Sequence, residues 1–395
     1  MRIFWWSNAI WTHTGYGGQT RTFVPRVKAL GHELIMGANY GLDGAILNLN
    51  NDIKIYPRGT EAVGNDILAA HAAKVQADIV LTLYDTWGFR NQSMESFKWV
   101  PWMPVDHEPL PRAIGEAIRP AWMPIAYARF GQRMLHEAGF EALYVPHGID
   151  TEQFKPVDRA KARELLGFPP DKFVGVMVAA NKGFPCRKAF PEVLMAWREF
   201  VRGREDDVML YLHSHDGPQL QGLDLQQTLM DMDYPRHAVK FCDPYQNTIG
   251  YPDAFLRDVY NAADVLISPS LGEGFGLPIV EAQACGCPVI VGDWTSMAEL
   301  CGAGWKVAKE DAHPFYTPIG AWQFIPSIDA IGEALENAWA AKGNQKLRDK
   351  ARKFAMRYDA DFVTRTYWKP VLEELEDRLK AAQQRMVPVT VEAAS

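Results

Sequence analysis

The 395-residue chain carries 48% hydrophobic and 23% charged residues, material for about two ordinary domains with an ample core. Its net charge of −7 excludes the basic footprint of a dedicated nucleic-acid binder, although local basic sites stay open. Five cysteines (Cys186, Cys242, Cys285, Cys287 and Cys301) form an odd, irregular set without a CxxC pair, which argues against a disulfide framework or a zinc site and for a reducing compartment.

The first residues, MRIFWWSNAIWTH, lack the long apolar core of a signal peptide. No stretch approaches the ~20 apolar residues that span a bilayer. The expected location is cytoplasmic, or peripheral at a membrane. Arg2–Ser7 is an apolar run suited to a buried strand, and Gly15-Tyr-Gly-Gly18 breaks the chain. A helix over Gln19–Leu30 follows, capped by Gly31, then a strand from His32 to Met36. Asp78–Leu83, Trp99–Val105 and Ala142–Pro146 read as further buried strands. A turn-rich stretch, Pro146–Asp150 with Phe154-Lys-Pro156, links two halves. The alternation then restarts: strands at Phe173–Ala179, Val208–His213, Asp264–Ser268 and Pro288–Val291, helices at Phe190–Val201 and Asp253–Ala262. Strands alternating with helices predict two successive α/β domains, each a doubly wound parallel sheet. One long charged helix is expected over Asp361–Gln384, with a frayed tail beyond it.

The chemistry concentrates in residues 272–290, GEGFGLPIVEAQACGCPVI. The strand before it, the glycine-rich loop, and Pro278 at a helix's first turn place backbone amides and the positive end of a helix dipole at the sheet's carboxyl edge. Such a terminus binds phosphate, and Gly274 and Gly276 would let the backbone approach an anion. Glu273 and Glu281 flank this loop. Carboxylates accept hydrogen bonds from hydroxyls, so Glu281 can hold a nucleotide ribose and Glu273 the hydroxyls of whatever the phosphates carry. That order suits a sugar joined to a nucleoside diphosphate. Singly, each glutamate could equally be a helix-end or surface residue.

Glu-x7-Glu within this run resembles the signature of retaining GT-B glycosyltransferases of the family 4 type (glycosyl transferases group 1). Gly15–His32 is similar to that family's glycine loop and first helix, and Pro146–Asp150 with Phe154 to its interdomain linker, with His147 where asparagine is usual. The resemblance implies two Rossmann-like domains facing across a cleft: an acceptor-side domain at residues 1–155 and a nucleotide-sugar domain at 156–357. A helix at 358–386 would return to the first domain, and 387–395 would be a tail. It also implies that a glycine loop at Gly17 and Gly18, cations in Asn181–Lys188, and the backbone at Gly274, Phe275, Gly276 and Leu277 contact the donor. The family's usual arginine after the strand is replaced by Asn181, so Arg187 and Lys188 are the candidates, with Lys182 a stand-in. His107 best matches a histidine beside the donor sugar, with Asp106 as its neighbour; these two and Glu273 are the catalytic candidates. His13 and Asp85 are weaker acceptor-side residues.

A dinucleotide fingerprint is not met, because Thr20 stands where the third glycine belongs and no acid ends the second strand. Two DxD runs, Asp231-Met-Asp233 and Asp359-Ala-Asp361, do not directly follow apolar strands, so no metal or other cofactor is expected. Seven of the thirteen tryptophans lie within residues 1–122; core packing accounts for most, and Trp11 and Trp87 are the pair expected in loops. The expected function is hexosyl transfer with retention from a UDP- or GDP-sugar to an acceptor the sequence leaves unidentified, a saccharide or lipid-linked glycan being among the candidates. A nucleotide-sugar epimerase of the same fold and a non-catalytic sugar-nucleotide binder are the alternatives.

Overall fold

A computed structural model describes residues 1–49, 52–183, 185–218, 221–234 and 238–386; the tail expected at 387–395 lies outside them. Eight strands form the first sheet: β1 (Arg2–Asn8), β2 (Glu33–Tyr40), β3 (Leu47–Leu49), β4 (Ile53–Tyr56), β5 (Ile79–Leu83), β6 (Trp99–Met103), β7 (Ile125–Ala126) and β8 (Leu143–Tyr144). Their spatial order is β3-β4-β2-β1-β5-β6-β7-β8, parallel except for the β3–β4 pair. β1 shows why the run is apolar throughout: Ile3 and Trp5 enter one core layer, Phe4 and Trp6 the other. Alternate side chains point to opposite faces, and both faces are covered.

The second sheet contains β9 (Phe173–Val178), β10 (Val208–His213), β11 (Val239–Phe241), β12 (Val265–Ser268), β13 (Val289–Gly292) and β14 (Gly304–Val307), all parallel, in the order β11-β10-β9-β12-β13-β14. This is the doubly wound Rossmann order, whose direction reverses between β9 and β12. In the first sheet the reversal falls between β1 and β5. Open α/β sheets place ligands outside the carboxyl ends of the strands at such reversals.

Three features depart from the sequence expectations. The glycine run Gly15–Gly18 is the first turn of the helix Gly15–Ala29, not a loop before it. Thr14 caps that helix, accepting from the Gly17 amide at 3.0 Å. A side chain at Gly17 would overlap Thr12 and the Ala9 carbonyl, which is why glycine stands inside a helix there. Secondly, the C-terminal helix is interrupted: a wide turn at Thr364–Trp368 separates Ala360–Val363 from Lys369–Met386. Trp368 then inserts among Trp5, Phe23 and Trp102, with ring centroids 5.7, 5.9 and 4.8 Å away, packing this segment against the first sheet and its first helix. Thirdly, an antiparallel hairpin of β15 (His313–Tyr316) and β16 (Trp322–Ile325) follows β14. Trp322 and Glu108 exchange backbone hydrogen bonds of 2.8 and 3.0 Å, and Lys309 pairs with Glu108 at 2.7 Å, so the hairpin straps the two domains together.

The linker is held from both sides. Ile149 pairs with the returning segment near Asp359, and Gln19 bonds the Gly148 carbonyl at 2.7 Å. His147 is buried against Tyr127, Trp102 and Phe275, and that burial lowers its pKa to about 3. A further cross-domain contact is Glu299, whose carboxylate accepts the Arg129 amide at 2.9 Å and so caps the first-domain helix Arg129–Glu137. Burial raises Glu299 to about 7, outweighing the Arg129 amide and guanidinium, which lower it. A carboxyl raised above its ordinary value gives stability that is complete at low pH and lost as pH rises through about 7. Glu299→Gln keeps an acceptor for the helix amide, so it is expected to flatten the decline in Tm between about pH 5 and about pH 8, read by thermal denaturation across that range.

Candidate functional site

The two loops at the reversal of the second sheet build the site. β12 ends at Ser268, residues 269–276 turn sharply, and Gly276 at φ +112° starts the helix Leu277–Ala284. Pro278 has no N–H, the Ile279 amide donates to the Gly276 carbonyl at 3.0 Å and no side chain caps the helix, so its start presents the Leu277 amide and the positive end of its dipole. The loop after β9 runs to the helix Phe190–Val201 and carries Arg187 and Lys188. The Leu271 amide bonds the Arg187 carbonyl at 2.8 Å, which fixes the loops to each other.

Glu273 is buried at the centre of these loops. One carboxylate oxygen accepts from Ser270 Oγ at 2.7 Å and from Lys188; the other accepts from Arg187 at 3.0 Å. Arg187 also bonds the Gly272 carbonyl. Burial alone would raise the Glu273 carboxyl, but Lys188 and Arg187 outweigh it and hold the pKa at about 2. Burial also lowers Lys188, only partly offset by Glu273, whereas Arg187 is raised because Glu273 and Asp106 outweigh its burial. The cations and the glutamate, read from sequence as separate contacts to phosphate and sugar, are thus one ion-paired cluster.

The first domain closes over it. Asp106 bonds His107 Nδ1 at 2.6 Å and lies 3.8 Å from Arg187. Despite burial, His107 and Arg187 lower the Asp106 carboxyl. A Cβ at Gly272 would overlap the Asp106 carbonyl, and one at Gly274 would overlap Pro104. The glycine expected to admit an anion at 274 therefore admits the other domain's backbone. The Phe275 ring packs against His147 and Tyr358, with centroids 5.1 and 5.7 Å away. Leu277 touches the position of a Gly15 side chain at 3.7 Å, so the helix starts of the two domains oppose each other.

Other sequence candidates scatter. The Gly17 and Gly18 amides are already taken by Thr14, through its hydroxyl and carbonyl, so the structure does not offer them to a donor. Lys182 is exposed and contributes to the field at Asp85. Glu281 is half-buried and accepts from Tyr260 at 3.0 Å. Asn181 bonds His215, Gly217 and Leu223 backbone groups, so it organises the loop after β10 instead of facing phosphate. His13 packs on Gly250 across the cleft. In the DxD runs, Asp231 accepts from Gln227, Asp359 from Thr151, and Asp361 pairs with Arg26. Sequence reasoning missed Ser270, which helps to fix Glu273, and its place one turn ahead of the glutamate is the signal that could have found it.

Residues 173–321 match the family model described as glycosyl transferases group 1. Over this stretch, a little over a third of its length, the chain is similar to the group 1 glycosyl transferases. It is 35% identical over 242 residues to a D-inositol 3-phosphate glycosyltransferase of Saccharomonospora viridis, covering 59% of this chain and 51% of that protein. A second such protein, from Catenulispora acidiphila, is 30% identical over 209 residues, or 49% of this chain and 46% of the relative. The chain thus spans about half the length of the curated relatives it matches. Among solved structures, sucrose-phosphate synthase from Thermosynechococcus elongatus superposes with a TM-score of 0.73 at 18% identity, covering 97% of this chain and all of that one. WaaG, a glycosyltransferase of lipopolysaccharide biosynthesis, superposes at 0.66 with 14% identity, covering 92% and 97%. The chain therefore has the GT-B fold, with its cationic cluster at the second domain's reversal.

Proposed function

We propose that the chain transfers a hexosyl group, with retention, from a nucleoside diphosphate sugar to a saccharide or lipid-linked glycan. The observation that carries this reading is the convergence of Arg187, Lys188 and the uncapped helix start at Leu277 on one sheet reversal. Together they supply the positive charge that a departing diphosphate requires. Glu273 keeps both cations charged and in place before the donor arrives, so little reorganisation accompanies the reaction. Glu281, four residues into that helix, would take the ribose hydroxyls, and the His107–Asp106 pair would face the sugar.

In the reaction the acceptor hydroxyl oxygen bonds to the anomeric carbon while the bond from that carbon to the diphosphate breaks. The electron pair goes to the diphosphate, which also receives the hydroxyl proton. Attack and departure on one face of the sugar leave the configuration unchanged. Two structural neighbours were solved with UDP-glucose or its 2-fluoro analogue, which makes UDP-sugars the first donors to test. A thermal-shift screen of UDP-, GDP-, ADP- and TDP-sugars is expected to single out one nucleotide. At a hundredfold excess over Kd it would add about 2.7 kcal/mol to apparent stability. The product's anomeric configuration, read by NMR, then tests retention. If no nucleotide sugar shifts Tm, the proposal fails.

A further inference from the structure

The positive charge of the cleft lies on the second domain; the opposing wall is built differently. The first sheet reverses between β1 and β5, so the segments after those strands stand side by side facing the cationic loops. They bring Tyr16 to the same edge as Asp85: the Tyr16 ring lies 5.6 Å from that of Tyr84, and burial together with the Asp85 carboxylate raises the Tyr16 phenol. Tyr127, the residue after β7, is buried, and its hydroxyl has no hydrogen-bond partner among the described residues. Lys182 and Arg187 act on Asp85 from across the cleft.

Three carboxylates line this space, and their partners differ. Glu273 is held by Arg187 and Lys188, and Asp106 by His107 and Arg187. Asp85 has no ion pair within 4 Å among the described residues, and it is only half-buried. It therefore keeps free acceptor capacity at the sheet reversal, beside the cations assigned to the donor's diphosphate. We propose that Asp85 accepts a hydrogen bond from the acceptor's attacking hydroxyl, and that this acceptor is an unphosphorylated sugar.

The acceptor's charge follows from the composition of the wall. Residues 9–14, 41–46 and 84–89, which follow β1, β2 and β5, contain no lysine or arginine. Arg21, on the second turn of the helix Gly15–Ala29, bonds the Ile10 carbonyl at 3.4 Å. Two carboxylates, Asp85 and Asp106, stand on the same edge. A phosphate brought here would meet like charge, whereas neutral hydroxyls meet carboxylate and phenol groups. Trp87, 68% exposed and two residues past Asp85, adds an apolar face of the kind that packs on a sugar ring. The matched relatives are named for D-inositol 3-phosphate, so this wall separates the chain from them in substrate class. Asp85 orients the hydroxyl; the bond changes and the proton's destination are those given above.

This inference rests on the glycosyl-transfer reading, and the test separates the two. With the donor identified by thermal shift, the full chain is offered glucose, galactose, mannose and myo-inositol, alongside glucose 6-phosphate and D-inositol 3-phosphate, with products read by mass spectrometry. Unphosphorylated acceptors are expected to react with at least about a tenfold higher kcat/KM. Asp85→Asn is expected to lower acceptor kcat/KM about a hundredfold, with the donor-induced Tm shift retained; Asp85→Glu should recover part of the loss. A native-like Tm of the free Asp85→Asn protein excludes misfolding as the cause. Preference for a phosphorylated acceptor, no reaction with any unphosphorylated one, or wild-type transfer by Asp85→Asn would each overturn the inference. A chain that no nucleotide sugar stabilises fails the earlier reading instead.

Discussion

Lys188→Ala is expected to lower kcat/KM for the donor by about 10²–10³, the loss typical of removing one preorganised donor from a developing anion. Lys188 and Arg187 share Glu273 between them, so the substitution has two separable effects. On the free protein it removes the partner that does most to offset the burial of Glu273. A carboxyl held at about 2 contributes stability that is present above its ordinary value and lost as pH falls through about 2. Without Lys188 that pKa rises, so acid unfolding should begin at higher pH and Tm should fall at neutral pH. On the bound state, the diphosphate loses a compact point charge that Arg187 cannot replace from its position over Gly272. Lys188→Arg restores the charge but not the fit, and intermediate activity is expected. Nucleoside diphosphate release and acid titration of Tm read the two effects independently. Normal donor kcat/KM in a destabilised Lys188→Ala protein would mean that the lysine serves only to neutralise Glu273.

What could be read in advance followed burial. β1, β9, β10 and β12 are covered on both faces, so their sequences are unbroken apolar runs bounded by turns. The helix Phe190–Val201 shows its pattern equally plainly. The hairpin of β15 and β16 has no such signature: its strands are four residues long, β15 is largely exposed, and docking on Glu108 holds it in place. Gly15–Gly18 reads as a break because glycine usually ends helices, whereas here the Thr14 cap and the crowding at Gly17 decide.

The site divides in the same way. The Glu-x7-Glu spacing and Pro278 are local, and the sequence displays them. The ion pairs of Glu273 join residues 85 and 86 positions apart, and only the adjacency of β9 and β12 creates them. Asp85 gains its place because β5 lies beside β1, which no local pattern near residue 85 reveals.

The glycines of the loop lead to the second large effect. Gly272→Ala is expected to reduce transfer by about a hundredfold or more, without a comparable loss in the stability of either sheet. The new methyl would overlap the Asp106 carbonyl and lie 3.1 Å from Gln323 Nε2, so the first-domain segment at 104–108 must retreat. That segment is also strapped to the hairpin through Glu108 and Trp322, so it has little freedom to move alone. The retreat therefore separates His107 and Asp106 from Arg187, and displacements of about 1 Å at a reacting centre cost about 10² in rate. Gly274→Ala, which meets Pro104, should behave alike. Gly18→Ala is the contrast: nothing lies within 4 Å of its Cβ, and alanine in a helix gains ~0.5–1 kcal/mol over glycine. Solution scattering should show a larger radius of gyration for Gly272→Ala and none for Gly18→Ala. Full activity in Gly272→Ala would show that the close approach of the two domains at Asp106 is dispensable, and that the donor cluster works without the first domain's loop against it.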